Sequence, residues 1–205
     1  MMSTSAGLTV TARSELILGG QKSGKSRRAE LLARDWLADG DGHQAVLIAT
    51  AQPWDAEMAA RIARHQADRA ARVPGLRTVE EPLALAQAIQ AHSRPDTLLV
   101  VDCLTLWLTN WRMPMHPVAA PDSESNQAAG HASIEAVALL LEAISAAPGP
   151  LVLVGNEIGL GVIPMGAEVR AFVDALGRLN QQVAEVCARV TLMAAGLPLT
   201  LKAPA

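Results

Sequence analysis

The chain has 205 residues, half of them apolar, with 17 Lys+Arg against 20 Asp+Glu and a formal charge of −3. That length fits one compact domain over residues 1–205 with a sizeable core, and the acidic balance argues against a non-specific nucleic-acid binder. Tyr is absent and Phe occurs once, so a stacking platform for single-stranded nucleic acid is not expected either.

Cys103 and Cys187 form no CxxC pair, which argues against a disulfide framework or a cysteine zinc site and fits a reducing cytoplasm. Residues 1–15 lack the apolar centre of a signal peptide. No apolar run approaches the ~18 residues that span a bilayer, so no membrane insertion is expected. Residues 1–13 and 203–205 read as flexible ends.

In chain order, short apolar runs at 15–18, 45–49, 76–79, 98–101, 151–154 and 190–193 read as strands. Between them, helical patterns cover 24–37, 55–72, 83–92, 104–111, 133–146 and 167–188. Strands apolar on nearly every residue are those covered on both faces. The alternation predicts a doubly wound α/β fold, a mostly parallel sheet with helices on both faces. Ligands of such sheets bind beyond the carboxyl ends of the strands. Residues 112–130, with Pro114, Pro117 and Pro121, interrupt the rhythm and read as one long loop.

The first strand runs into Gly19-Gly20-Gln21-Lys22-Ser23-Gly24-Lys25-Ser26. Gly19, Gly24, Lys25 and Ser26 satisfy G-x-x-x-x-G-K-[ST] between a strand and a helix, the phosphate loop of P-loop NTPases. Backbone N–H groups would cradle phosphates, Lys25 would reach the β- and γ-phosphates, and Ser26 would hold Mg²⁺. Asp102 ends the apolar run at 98–101 and matches the acidic partner that holds the metal or its water; alone it is equally a helix cap. A nucleoside triphosphate with Mg²⁺ is the expected ligand.

On the helix at 55–72, Arg61, His65 and Arg69 are spaced four apart and share one face. That spacing suits a nucleophilic imidazole flanked by cations for phosphate oxygens, and suits equally a solvated Arg-rich helix with an incidental His.

Together these segments resemble the bifunctional adenosylcobinamide kinase / adenosylcobinamide-phosphate guanylyltransferase family. The resemblance rests on the phosphate loop, Thr50-Ala51-Gln52, the E-M-x-x-R-I-x-x-H run from Glu57 to His65, and Glu80-Glu81-Pro82. It continues through Asp102-Cys103-Leu104-Thr105, the N-E-x-G-x-G-x-x-P run from Asn156 to Pro164, and Gly177 to Gln181. It implies phosphorylation of adenosylcobinamide by ATP or GTP, then GMP transfer from GTP through a guanylylated His65. It also implies nucleotide contacts at Thr50, Ala51, Gln52, Gln66, Ala67, Asp68, Arg69, Glu80 and Asp102, besides the phosphate loop, and a homotrimer. Asp102 stands where many relatives have Glu. Asn156 and Glu157 read either as a γ-phosphate or metal sensor or as a structural turn. A simple P-loop kinase without a covalent step, or a GTP-binding regulator, are the competing readings.

Overall fold

The structure, a computed structural model, describes residues 13–113 and 123–204, with residues 123–131 described by backbone alone. Seven strands form one sheet: β1 (Ser14–Gly19), β2 (Gln44–Ala49), β3 (Leu76–Glu80), β4 (Thr97–Asp102), β5 (Leu151–Val154), β6 (Arg189–Ala194) and β7 (Leu197–Lys202). Their order is β3-β2-β4-β5-β1-β6-β7. The first six are parallel, and β7 joins β6 antiparallel. The helices are α1 (Lys25–Asp39), α2 (Ala56–Arg72), α3 (Leu85–His92), α4 (Leu104–Arg112), α5 (Ser123–Ala146) and α6 (Ala167–Val186).

Alternation along each strand separates two cores. On one face Ile17, Leu47, Val100 and Val152 pack against Ala29, Leu32 and Ala33 of α1. On the other, Leu16, Ile48, Val101 and Leu153 pack against Leu85, Trp107, Leu140 and Leu179 of α3 to α6. Leu98, Leu99, Val100 and Val101 are each 0% exposed, which is why β4 shows no polar alternation. Each such side chain contributes about 1.5–3 kcal/mol of burial. Local signals set the helix starts: the Asp55 carboxylate accepts from Met58 N at 2.7 Å, and Glu81 Oε1 accepts from Leu83 N and Ala84 N at 3.0 and 2.7 Å.

Three expectations are corrected. The loop expected over 112–130 is in part helix, since α4 runs to Arg112 and α5 starts at Ser123; a helix propagates readily through Gln127, Ala128 and Ala129 once its later turns are packed. Positions 114–122 lie outside the described residues, as do 1–12 and 205. Arg13, expected in a flexible end, is held by two bonds to Ala147 O at 3.2 and 2.8 Å. Finally, β7 was not expected at all. It follows a two-residue turn at Ala195 (φ 51°) and Gly196 (φ 80°), the conformation that matches hairpin twist. Its Pro198 is tolerated because β7 is an edge strand.

Candidate active site

Most of the informative motifs fall at the carboxyl ends of the parallel strands, while His65 lies within α2 and Gly177 to Gln181 within α6. The phosphate loop follows β1, Thr50 follows β2, Glu80 ends β3, Asp102 ends β4 and Asn156 follows β5. Ala49 is in register with Glu80 on one side and Asp102 on the other. The two carboxylate positions are therefore two strand spacings apart, about 9–10 Å.

The loop's shape depends on its neighbours. A Cβ on Gly19 would meet Met193 O at 2.5 Å and Ser23 Oγ at 2.6 Å, so no side chain fits there. Glu157 N donates to Gly19 O at 3.1 Å, and Gly196 N donates to Ser23 O at 3.1 Å. Gly24 caps α1 in the left-handed region, with no side-chain cap and no acidic residue in the first turn. The first-turn N–H groups and the positive helix end thus face the loop, an arrangement suited to an anion. Gly20, Gln21 and Lys22 are exposed around it. Lys25 is buried, its Nζ donating to Gly20 O at 2.6 Å and to Ser23 Oγ at 3.5 Å. Burial lowers the Lys25 pKa, with Cys103 and Asp102 working against that shift.

Asp102 is the hub. Its carboxylate accepts a hydrogen bond from Ser26 and feels Arg69, His65 and Lys25 electrostatically; burial outweighs these and raises its pKa. The phosphate loop and the His65 helix therefore both act electrostatically on one carboxyl group. Ser26 and Asp102 present adjacent oxygens, a donor set that suits Mg²⁺ sharing its shell with phosphate oxygens.

Thr50 is 0% exposed. Its Oγ1 donates to Cys103 O at 2.8 Å and accepts from Cys103 N at 2.9 Å. Asn110 Nδ2 donates to Thr50 O and Pro82 O at 2.8 and 2.9 Å. The Thr50 hydroxyl thus fixes the backbone beside Asp102, while Ala51 and Gln52 are half-buried beyond it. On α2, His65, Gln66, Ala67 and Asp68 are exposed, as is Arg61. Arg69 instead turns inward, 7% exposed, donating to Thr78 Oγ1 at 3.3 Å. Gln66 Nε2 donates to Glu80 Oε1 at 3.1 Å.

Sequence reasoning gave no role to two buried asparagines, Asn110 and Asn180. Asn180 Nδ2 donates to Asn156 O at 3.1 Å and to Glu157 Oε2 at 3.4 Å, while Glu157 Oε1 accepts from Gly159 N at 3.1 Å. Both Glu157 oxygens are engaged within the protein, which favours the turn over the sensor. An Asn on the apolar face of an amphipathic helix was the available signal for both positions.

The sheet order, the phosphate loop and the Ser26–Asp102 pair define a P-loop nucleotide-binding protein of the α/β class. Comparison with known proteins narrows this. The family model described as cobinamide kinase / cobinamide phosphate guanyltransferase matches residues 15–201, and the chain belongs to that family. It is 46% identical over 188 residues to the bifunctional adenosylcobalamin biosynthesis protein CobP of Pseudomonas aeruginosa, covering 92% of this chain and 96% of that one. It is 37% identical over 187 residues to the bifunctional adenosylcobalamin biosynthesis protein CobU of Escherichia coli, covering 91% and 98%. Among solved structures, flagellar accessory protein FlaH of Methanocaldococcus jannaschii is similar at TM-score 0.47 and 9% identity, over 93% of this chain and 78% of that one.

Proposed function

We propose that this chain phosphorylates the aminopropanol hydroxyl of adenosylcobinamide with ATP or GTP, then transfers GMP from GTP to that phosphate through His65. The observation that carries the reading is Asp102 at the end of β4, which accepts a hydrogen bond from Ser26 and stands within electrostatic reach of Lys25 on the phosphate-loop helix and of His65 and Arg69 on α2.

In the first reaction the hydroxyl oxygen bonds to the γ-phosphorus and the bridging bond breaks, releasing ADP or GDP. Lys25 and the first turn of α1 offset the charge on the phosphate oxygens. In the second, a ring nitrogen of His65 bonds to the α-phosphorus of GTP and pyrophosphate leaves. A phosphate oxygen of the acceptor then displaces the imidazole, giving adenosylcobinamide-GDP. Ser26 and Asp102 would hold Mg²⁺, which when bound neutralises phosphate charge. Gln66, Ala67, Asp68 and Arg69 would contact the nucleotide beside His65, as would the segment Thr50, Ala51 and Gln52 that follows β2. Glu80, oriented by Gln66, would accept the N1–H and exocyclic amine of guanine.

The working state is a cytoplasmic homotrimer. In support of an assembly, Leu160, Val162 and Met165 are 81%, 96% and 95% exposed on the loop that follows β5. Light scattering tests the mass.

The decisive experiment offers GTP labelled at the α- or the γ-phosphate and asks which label stays on the denatured chain. Retained α-label, lost in acid, stable in alkali and absent from His65→Ala, is the expected result. Clear GTP binding with no retained label would overturn the covalent step and leave a simple kinase. Cobinamide unaltered by either nucleotide would leave a binding protein.

A further inference from the structure

Helix α2 carries His65 yet adds almost nothing to either apolar core: among its 17 residues only Arg69 is buried. Charge seats it instead. Arg72 Nη1 lies 2.8 Å from Glu30 Oε2, and the Glu30 side chain is 5% exposed. The contact is an ion pair without an aligned hydrogen bond, since Oε2 accepts none. Arg69 reaches Thr78 Oγ1 and, like Arg72, acts electrostatically on Glu30. Glu30 stands one turn beyond Ser26 on α1, the helix that begins at the phosphate loop. Arg72 stands two turns beyond His65, on the same side of α2. One buried carboxylate thus joins the helix of the nucleophile to the helix of the phosphate loop.

We propose that Glu30 is a positioning residue for guanylyl transfer: by holding Arg72, and α2 with it, Glu30 sets where His65 stands relative to a triphosphate on the phosphate loop. The proposal rests on the reading of His65 as the guanylylated nucleophile. A buried ion pair contributes little net stability, because desolvating the carboxylate offsets the attraction, but it fixes geometry. In-line displacement is sensitive to that geometry, and a misplacement of about 1 Å costs on the order of a hundredfold in rate. The kinase half forms no bond to His65, so its rate depends less on where that imidazole stands than guanylyl transfer does.

The test compares wild type, Glu30→Gln, Glu30→Asp and Arg72→Gln for two rates on the same preparations. One is uptake of α-label from GTP onto the chain; the other is transfer of γ-label to adenosylcobinamide. Wild type is measured first: if it takes up no α-label while its kinase is active, the His65 reading has failed and the proposal falls with it. Given wild-type labelling, Glu30→Gln and Arg72→Gln should label about tenfold slower or worse. Both should reach the wild-type plateau with kinase rates within about twofold, and Glu30→Asp should recover part of the loss. Unchanged labelling in Glu30→Gln, or labelling and kinase rates that fall in proportion, would overturn the proposal. Should Glu30→Gln fail to fold, Arg72→Gln, whose side chain is 41% exposed, decides by the same comparison.

Discussion

The Lys25 ammonium lies 2.6 Å from the carbonyl oxygen of Gly20, inside the loop from which its own helix springs. Phosphate oxygens compete with that carbonyl for the same three donor hydrogens, so Lys25 both shapes the loop and neutralises the ligand. Lys25→Ala should slow kinase turnover and α-label uptake alike by about 10²–10³, the scale for one lost donor to developing charge. Single-turnover rates with each labelled nucleotide check this. A variant that lost only one activity would show that the two reactions do not share the loop.

Asn110 works through its NH₂ alone, because its Oδ1 has no hydrogen-bond partner among the described residues. Asn110→Ala leaves the carbonyls of Thr50 and Pro82 without this donor and should cost about 2 kcal/mol or more. Asn110→Asp should be worse, since it turns a carboxylate toward two carbonyl oxygens. Urea unfolding of the three proteins measures the order, and Asp at least as stable as Ala would refute this account of the Thr50–Cys103 network.

Burial pushes the thiols of Cys103 and Cys187 up to about 12. The thiolate is the reactive form, so neither should react with iodoacetamide or a disulfide reagent in the native protein at pH 8. Both should react in denaturant, as read by mass spectrometry. Rapid native labelling of Cys103 would mean that the segment beside Asp102 opens readily.

Glu30 gives a pH signature. Burial raises its pKa above the ordinary 4.5 against the pull of Arg72 and Arg69, with Asp102 and Asp68 adding to the rise. A raised folded-state value means that the folded chain binds the proton more tightly than the unfolded one. The resulting stability is complete below about 4.5 and is lost as pH rises through the folded-state value. Urea midpoints of Glu30→Gln should therefore gain on wild type as pH climbs through that window. A wild-type advantage that grows with pH would reverse the sign and refute the shift.

Legibility of the sequence followed the range of the interactions. Strands such as 45–48, 98–101 and 151–154 could be read because they are apolar on consecutive residues, whereas 76–79 carries Arg77 and Thr78 between Leu76 and Val79. The phosphate loop could be read because Gly19 to Ser26 is one local motif. Strand β7 was hidden, since Leu197, Leu199 and Leu201 are 70%, 56% and 56% exposed and the strand exists by pairing with β6 rather than by burial. The start of α5 was hidden because Ser123, Glu124, Ser125 and Asn126 have loop composition. At the site, the inward turn of Arg69 and the links Glu30–Arg72 and Asn180–Glu157 join side chains on separate elements, where spacing along the chain carries no information.

The hydrogen bond from Gly196 N to Ser23 O also orders events in time. Strand β1 precedes both its partners, β5 and β6, with β2, β3 and β4 made in between. The phosphate loop then waits for the hairpin turn at Ala195 and Gly196 before this backbone bond can close. On a ribosome, capacity to hold nucleotide is therefore acquired only after β6 and the turn that follows it have emerged, rather than with the motif that encodes it. A nascent chain stalled ahead of β6 should carry the complete Gly19–Ser26 motif and still fail to retain GTP.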